Sequence, residues 1–96
     1  AAGISSFLMA KKASEYFQTN GEATVVKAAS VIAGAKAISV DEHDIYLVSP
    51  QTRQYFEELS KAALKQNKPI EMLPAQAYVP NEKGTEILCT LIQKIS

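Results

Sequence analysis

The run Ile45-Tyr46-Leu47-Val48, closed by Ser49-Pro50-Gln51, decides how this chain is read. Four consecutive apolar residues without polar alternation mark a strand covered on both faces, and such strands belong to parallel sheets. The Ser-Pro pair breaks the run and starts a helix, with Ser49 or Thr52 available as its cap. From Arg53 to Gln66, Tyr55, Phe56, Leu59, Ala62 and Ala63 form an apolar stripe. Arg53, Glu57, Lys61 and Lys65 run along the wet side, with Glu57 and Lys61 in the favourable order for an ion pair. Asn67-Lys68-Pro69 stops this helix, and Ile70-Glu71-Met72-Leu73 follows as a short strand.

Working outward, the same alternation continues on both sides. Upstream, Asp41-Glu42-His43-Asp44 is a polar turn, preceded by a small-residue helix from Ser30 to Ala37 that Gly34 weakens. Thr24-Val25-Val26-Lys27-Ala28 reads as a strand, and Lys27 places it at a sheet edge. Ser6 to Thr19 reads as a helix with Met9, Ala13, Tyr16 and Phe17 on one face, ended by Asn20-Gly21. Downstream, Pro74 to Asn81 is a loop with Tyr78 exposed. A last helix runs from Lys83 to the end with Leu88, Leu91, Ile92 and Ile95 inward.

Strict helix–strand alternation implies an α/β domain with parallel strands, helices on both faces and right-handed crossovers. The expected sheet has four strands in the order 2-1-3-4. Its first strand, about five residues long, is expected upstream of Ala1. Segments 24–28 and 45–48 then flank that strand and do not pair with each other.

Length and composition narrow the functional classes. The 96 residues form one domain spanning 1–96. Ten basic and ten acidic side chains cancel, which argues against nucleic-acid binding and against an electrostatic membrane patch. No apolar run approaches the roughly 18 residues of a spanning helix, and no secretory leader opens the sequence. Cys89 is a lone cysteine, so no internal disulfide forms and a reducing cytoplasm is the expected compartment. The absence of any Cys/His cluster argues against a zinc site. No cofactor or metal is implied, and a monomer is expected.

Ala1-Ala2-Gly3-Ile4-Ser5-Ser6 carries the candidate chemistry. Small residues let a loop aim its N–H groups inward, and Ser5 or Ser6 can cap the helix that follows. A helix start of this kind is an anion site, with phosphate the usual anion. Its bland alternative is an ordinary capped helix start.

The sequence resembles the IIB component of the lactose/cellobiose branch of the bacterial phosphoenolpyruvate-dependent sugar phosphotransferase system. The resemblance runs through Ala-Gly-Ile-Ser-Ser at 2–6, Ser-Pro-Gln at 49–51, Asn-Lys-Pro-Ile-Glu at 67–71, Ala-Tyr at 77–78 and Gly84. It implies a flavodoxin-like three-layer sandwich and a cytoplasmic phosphotransferase, recruited to the inner face of the membrane through the IIC permease. In that family a cysteine accepts a phosphoryl group from a IIA phosphohistidine and passes it to a sugar on IIC, here a β-linked disaccharide such as cellobiose or lactose. The cysteine would stand immediately before Ala1. Ala1, Ala2, Gly3, Ile4, Ser5 and Ser6 would cradle the phosphoryl group, chiefly through backbone. Gln51 and Tyr78 would meet phosphate or a partner, or else serve as a helix-start amide and as packing over the loop.

A related architecture, the low-molecular-weight tyrosine phosphatase, has an arginine six residues after its cysteine. Here that position is Ser6, so hydrolysis would lose its guanidinium and a carrier is the expected behaviour. A non-catalytic flavodoxin-like module binding an anion or a partner is the other alternative. His43 precedes its strand, and in parallel sheets ligands bind beyond the strands' carboxyl ends, so it is expected to lie in a surface loop away from the chemistry. Cys89, half-buried beside Ile92, is expected to pack rather than react.

Overall fold

The computed structural model describes residues 4–96. Four helices and a two-stranded parallel sheet follow in the order α1 (Ile4–Thr19), α2 (Val31–Ser39), β1 (Tyr46–Val48), α3 (Phe56–Lys65), β2 (Ile70–Met72) and α4 (Glu82–Ile95). A 3-10 helix, Pro50–Tyr55, precedes α3, and a shorter one, Ala75–Ala77, follows β2. The strands pair in register Tyr46 with Ile70, Leu47 with Glu71 and Val48 with Met72.

β1 divides the molecule into two cores. Ile45 and Leu47 pack on one side against Met9, Ala13, Phe17, Leu88 and Ile92 of α1 and α4. Tyr46 packs on the other against Ile38, Leu59 and Ala63 of α2 and α3, beside Val48. This assignment to opposite sides follows from the two-residue period of a strand. The molecule is therefore layered, two helices on each side of the strands.

Local chemistry ends the helices where the residue types indicate. At the end of α1, Glu22 N–H donates to Phe17 C=O at 2.8 Å and Gly21 N–H to Gln18 C=O at 3.1 Å, with Gly21 at φ 75°. This paired 6→1 and 5→2 closure is the Schellman arrangement. Asn67, at φ 57°, closes α3 the same way: Lys68 N–H donates to Ala63 C=O and Asn67 N–H to Leu64 C=O. Ser30 caps α2 by accepting from Ala33 N–H at 3.2 Å, and Asn81 caps α4 by accepting from Gly84 N–H at 2.7 Å.

Several expectations are corrected. Segment 24–28 is not a strand. A strand needs a ladder partner, and the backbone N–H and C=O of Val26 are instead both engaged by the Ser14 hydroxyl, at 2.9 and 3.1 Å. The observed sheet has two strands among the described residues, and no ladder joins 24–28 to 45–48. β1 is not covered on both faces throughout: Val48 is buried, whereas Tyr46 and Leu47 are half-buried. Tyr55 leaves the α3 stripe, standing in the 3-10 segment at 39% exposure. Glu57 and Lys61 do pair, at 3.7 Å, on a surface where such a pair contributes little.

Gly84 is the most constrained glycine among the described residues. A Cβ there would lie 2.0 Å from the Val79 carbonyl oxygen, so the loop carrying Tyr78 rests directly on the α4 backbone. Gly84→Ala is expected to destabilise the fold by about 2 kcal/mol or more, the range of core overpacking. Urea unfolding measures this, and a midpoint equal to the parent's would show that the loop moves aside freely.

Candidate functional site

The site is assembled at the carboxyl ends of β1 and β2, the end at which parallel α/β sheets bind ligands. Four hydroxyls lie there. The chain leaves β1 through Ser49 into the 3-10 helix, where Ser49 Oγ and Thr52 Oγ1 hydrogen-bond at 3.0 Å. Thr52 N–H donates to Ser49 C=O at 3.1 Å and closes the turn. The chain leaves β2 through Leu73 and Pro74 toward Tyr78, whose hydroxyl is hydrogen-bonded to the Ser6 hydroxyl on the first turn of α1. Ser6, Ser49, Thr52 and Tyr78 all border the same open trough.

This arrangement revises the expected roles. α1 begins at Ile4, so Ser6 is not its cap. Nothing from residue 4 to residue 6 breaks a helix. Ala1, Ala2 and Gly3, expected in the phosphate cradle, lie outside the described residues. Ile4 and Ser5 belong to the first turn of α1, where backbone N–H groups lack intrahelical acceptors. Tyr78 is half-buried rather than exposed, held by Ser6 from 72 residues away in sequence. Gln51 is exposed on the 3-10 helix at this same end.

The Ser49–Thr52 pair was legible only as two alternative caps. Neither acts as one: Ser49 makes no side-chain cap bond, because its hydroxyl is turned to Thr52. Their proximity to Ser6 and Tyr78 is tertiary and carries no sequence signal.

His43 lies at the opposite end, before β1. Its backbone N–H donates to the Tyr46 hydroxyl at 3.1 Å, and its Nε2 lies 3.1 Å from Glu42 Oε2. The Tyr46 hydroxyl in turn donates to Ala37 C=O at 3.3 Å. Nearby, Lys68 Nζ pairs with Asp41 at 2.9 Å, and that hydrogen bond holds the lysine pKa above its usual value. These contacts tie the amino end of β1 together, and Glu42, His43 and Asp44 border the far end of the same trough.

Cys89 is fully buried, more than the half-burial expected of it. Its Sγ lies 3.8 Å from Ala13 C=O. Burial, with a smaller contribution from the Glu22 charge, pushes the thiol up to about 11 from an ordinary 9.0. A thiol held neutral is neither a nucleophile nor a metal ligand. No group of three or more His, Cys, Asp or Glu side chains is placed to hold a metal among the described residues. No helix among them is long and apolar enough to cross a membrane.

Comparison with protein families, curated proteins and solved structures finds no match to this chain.

The buried thiol generates a prediction. At pH 8, Cys89 is expected to react with a thiol reagent only as fast as the fold opens. Above pH 9 the unfolded chain releases this proton while the native chain keeps it, so native stability falls as pH rises from 9 toward 11. Cys89→Ala removes that part of the fall. Immediate native-state labelling would show that the thiol is accessible.

Proposed function

We propose that this chain is the body of a phosphocysteine carrier of the sugar phosphotransferase type, with its cysteine on a strand leading into Ala1. On this reading the complete sheet has the order 2-1-3-4, with that strand first, and the domain is flavodoxin-like. The observation that carries the proposal is the first turn of α1. It sits at the carboxyl end of a parallel strand pair, beside the hydroxyls of Ser6 and Tyr78. A helix start there lowers a cysteine pKa and holds a phosphoryl group through backbone N–H groups.

The chemistry has two steps. The thiolate attacks the phosphorus of a IIA phosphohistidine; the S–P bond forms, the N–P bond breaks, and the imidazole takes up a proton. A hydroxyl of a β-linked disaccharide held by IIC then attacks. The O–P bond forms, the thiolate leaves, and the hydroxyl proton passes to a base. Charge spreads over three phosphoryl oxygens in each transition state, and fixed N–H donors stabilise it without reorganising. Serine at position 6 brings no positive charge. This favours a carrier over a phosphatase, which grips phosphate with a guanidinium. Gln51, exposed at this end, and Tyr78 would meet the protein partners in the cytoplasm.

The test is intact-mass analysis of the chain extended upstream by a cysteine-bearing strand, before and after incubation with phosphorylated IIA. One phosphoryl group on that cysteine, discharged on adding IIC and sugar, is expected. A modified cysteine that only hydrolyses would indicate a phosphatase. No modification would leave an anion- or partner-binding module. In the same protein, Ser6→Arg is expected to tighten inorganic phosphate binding through bidentate hydrogen bonds and to shorten phosphocysteine lifetime. Unchanged affinity and lifetime would place position 6 away from the phosphoryl group.

His43→Ala is expected to leave the transfer rate near that of the parent, because His43 lies at the amino end of β1. A hundredfold loss, about 2.7 kcal/mol of transition-state stabilisation, would put the active end on the wrong side.

A further inference from the structure

We infer that the outer edge of β2 is a docking edge for an extended segment of a partner protein. That segment pairs antiparallel to β2 and sets a lysine or arginine, between two apolar residues, opposite Glu71. Nothing in this pairing depends on phosphoryl transfer.

The ladder register fixes which backbone groups are free. Tyr46 N–H donates to Pro69 C=O at 3.0 Å, and Leu73 N–H donates to Val48 C=O at 2.8 Å. Tyr46 stands opposite Ile70 and Val48 opposite Met72. The slanted bonds of a parallel ladder then use Pro69, Glu71 and Leu73 on the β2 side. The N–H and C=O groups of Ile70 and Met72 therefore point the other way, and among the described residues no strand pairs with them there. Such an edge is a template for another strand. The chain also limits its length. Lys68 N–H is spent on Ala63 C=O, and Pro74 has no N–H to give, so the window is Ile70-Glu71-Met72.

Side chains along this window specify what fits. Ile70 packs against the α2/α3 core, and Leu73 belongs to the α1/α4 core. By the two-residue period of a strand, Met72 shares the side of Ile70 and Glu71 shares the side of Leu73. Met72 is 36% exposed. Leu64 extends that apolar side. Gln66 Nε2, at the end of α3, donates to Ser39 C=O of α2, and the Tyr46 hydroxyl reaches Ala37 C=O of α2, so α2 lies toward β1. Leu64 stands two residues before Gln66, about 200° around the helix. It is thereby on the flank of α3 away from α2, toward the free edge, and is 77% exposed.

Glu71 is exposed on the other side and makes no ion pair among the described residues. A strand laid antiparallel on Ile70 and Met72 puts one residue directly opposite Glu71, in a non-hydrogen-bonded pair where side chains are closest. An opposite charge at that position stabilises the pairing and a like charge destabilises it. The same register disfavours a second copy of this chain. Two-fold pairing of β2 with itself sets Glu71 against Glu71. Centring the two-fold on Ile70 instead calls on Lys68 N–H, and centring it on Met72 calls on Pro74. Glu71 is thus the charge that keeps the edge from self-pairing, and it is complementary to a basic residue on the partner.

The test is titration of the 96-residue chain with blocked, threonine-flanked synthetic peptides of about seven residues, centred on Val-Lys-Val or on Val-Glu-Val. Amide hydrogen exchange is the readout. The lysine peptide is expected to bind one to one, to slow exchange at Ile70 and Met72 at least tenfold, and to bind at least fivefold more tightly than the glutamate peptide at low salt. That margin should shrink in about 1 M salt. Glu71→Lys should reverse the order of the two peptides. Glu71→Gln, the milder change, should abolish the difference between them. Glu71→Val should make the chain dimerise in sedimentation, with the Ile70 and Met72 amides protected. Four results would overturn the docking edge: no saturable binding of the lysine peptide, an order of peptides that Glu71→Lys and Glu71→Gln leave unchanged, protection at Leu47 in place of Ile70 and Met72, or a Glu71→Val chain that stays monomeric.

Discussion

Among the described residues β1 is paired on one edge only, with β2, and the rest of the structure depends on that. Tyr46–Val48 separate the α1/α4 core from the α2/α3 core while hydrogen-bonding only to β2. An interior strand edge without a partner is costly, because backbone N–H and C=O groups shielded from water lose free energy when unbonded. The trough beside β1 follows from the same fact. The helices stand two to a side as they would over a wider sheet, and the strands between them do not fill the layer.

The two ends of β1 are chemically different. At the amino end, His43, Glu42, Tyr46, Asp41 and Lys68 bond one another and the backbone. At the carboxyl end, Ser6, Ser49, Thr52 and Tyr78 supply hydroxyls and no charge. The first turn of α1 adds the positive end of a helix dipole there. Such a site favours an anion that arrives and departs over one gripped by a guanidinium, and this is the physical basis of the carrier proposal.

Helix lengths, by contrast, are set locally. Gly21 and Asn67 adopt the left-handed conformation that terminates α1 and α3, while Ser30 and Asn81 cap α2 and α4. Each of these acts within a few residues. Ser30 reads in the sequence as part of its helix and Asn81 as part of a loop, whereas the stops at Asn20-Gly21 and Asn67 are legible there. The same holds for the buried stripes Met9–Ala13–Phe17 and Leu88–Ile92, whose helical spacing needs no knowledge of the partner.

The sequence by itself determined the alternation from α2 to α4, the parallel pairing of the strands at 46–48 and 70–72, the stops of α1 and α3 and most of the inward faces, because periodicity and capping are short-range. Only the tertiary structure decided what became of 24–28. Its β-branched residues favour extension, and it is extended in burial pattern, but a ladder is a property of two segments and none lies beside it. Tertiary packing also decided that Ser6 holds Tyr78 instead of capping α1, that Ser49 turns to Thr52, and that Cys89 is fully enclosed. Each of these depends on groups brought together across the chain, from three residues apart for Ser49 and Thr52 to 76 for Cys89 and Ala13, and side-chain direction at that range is set by packing.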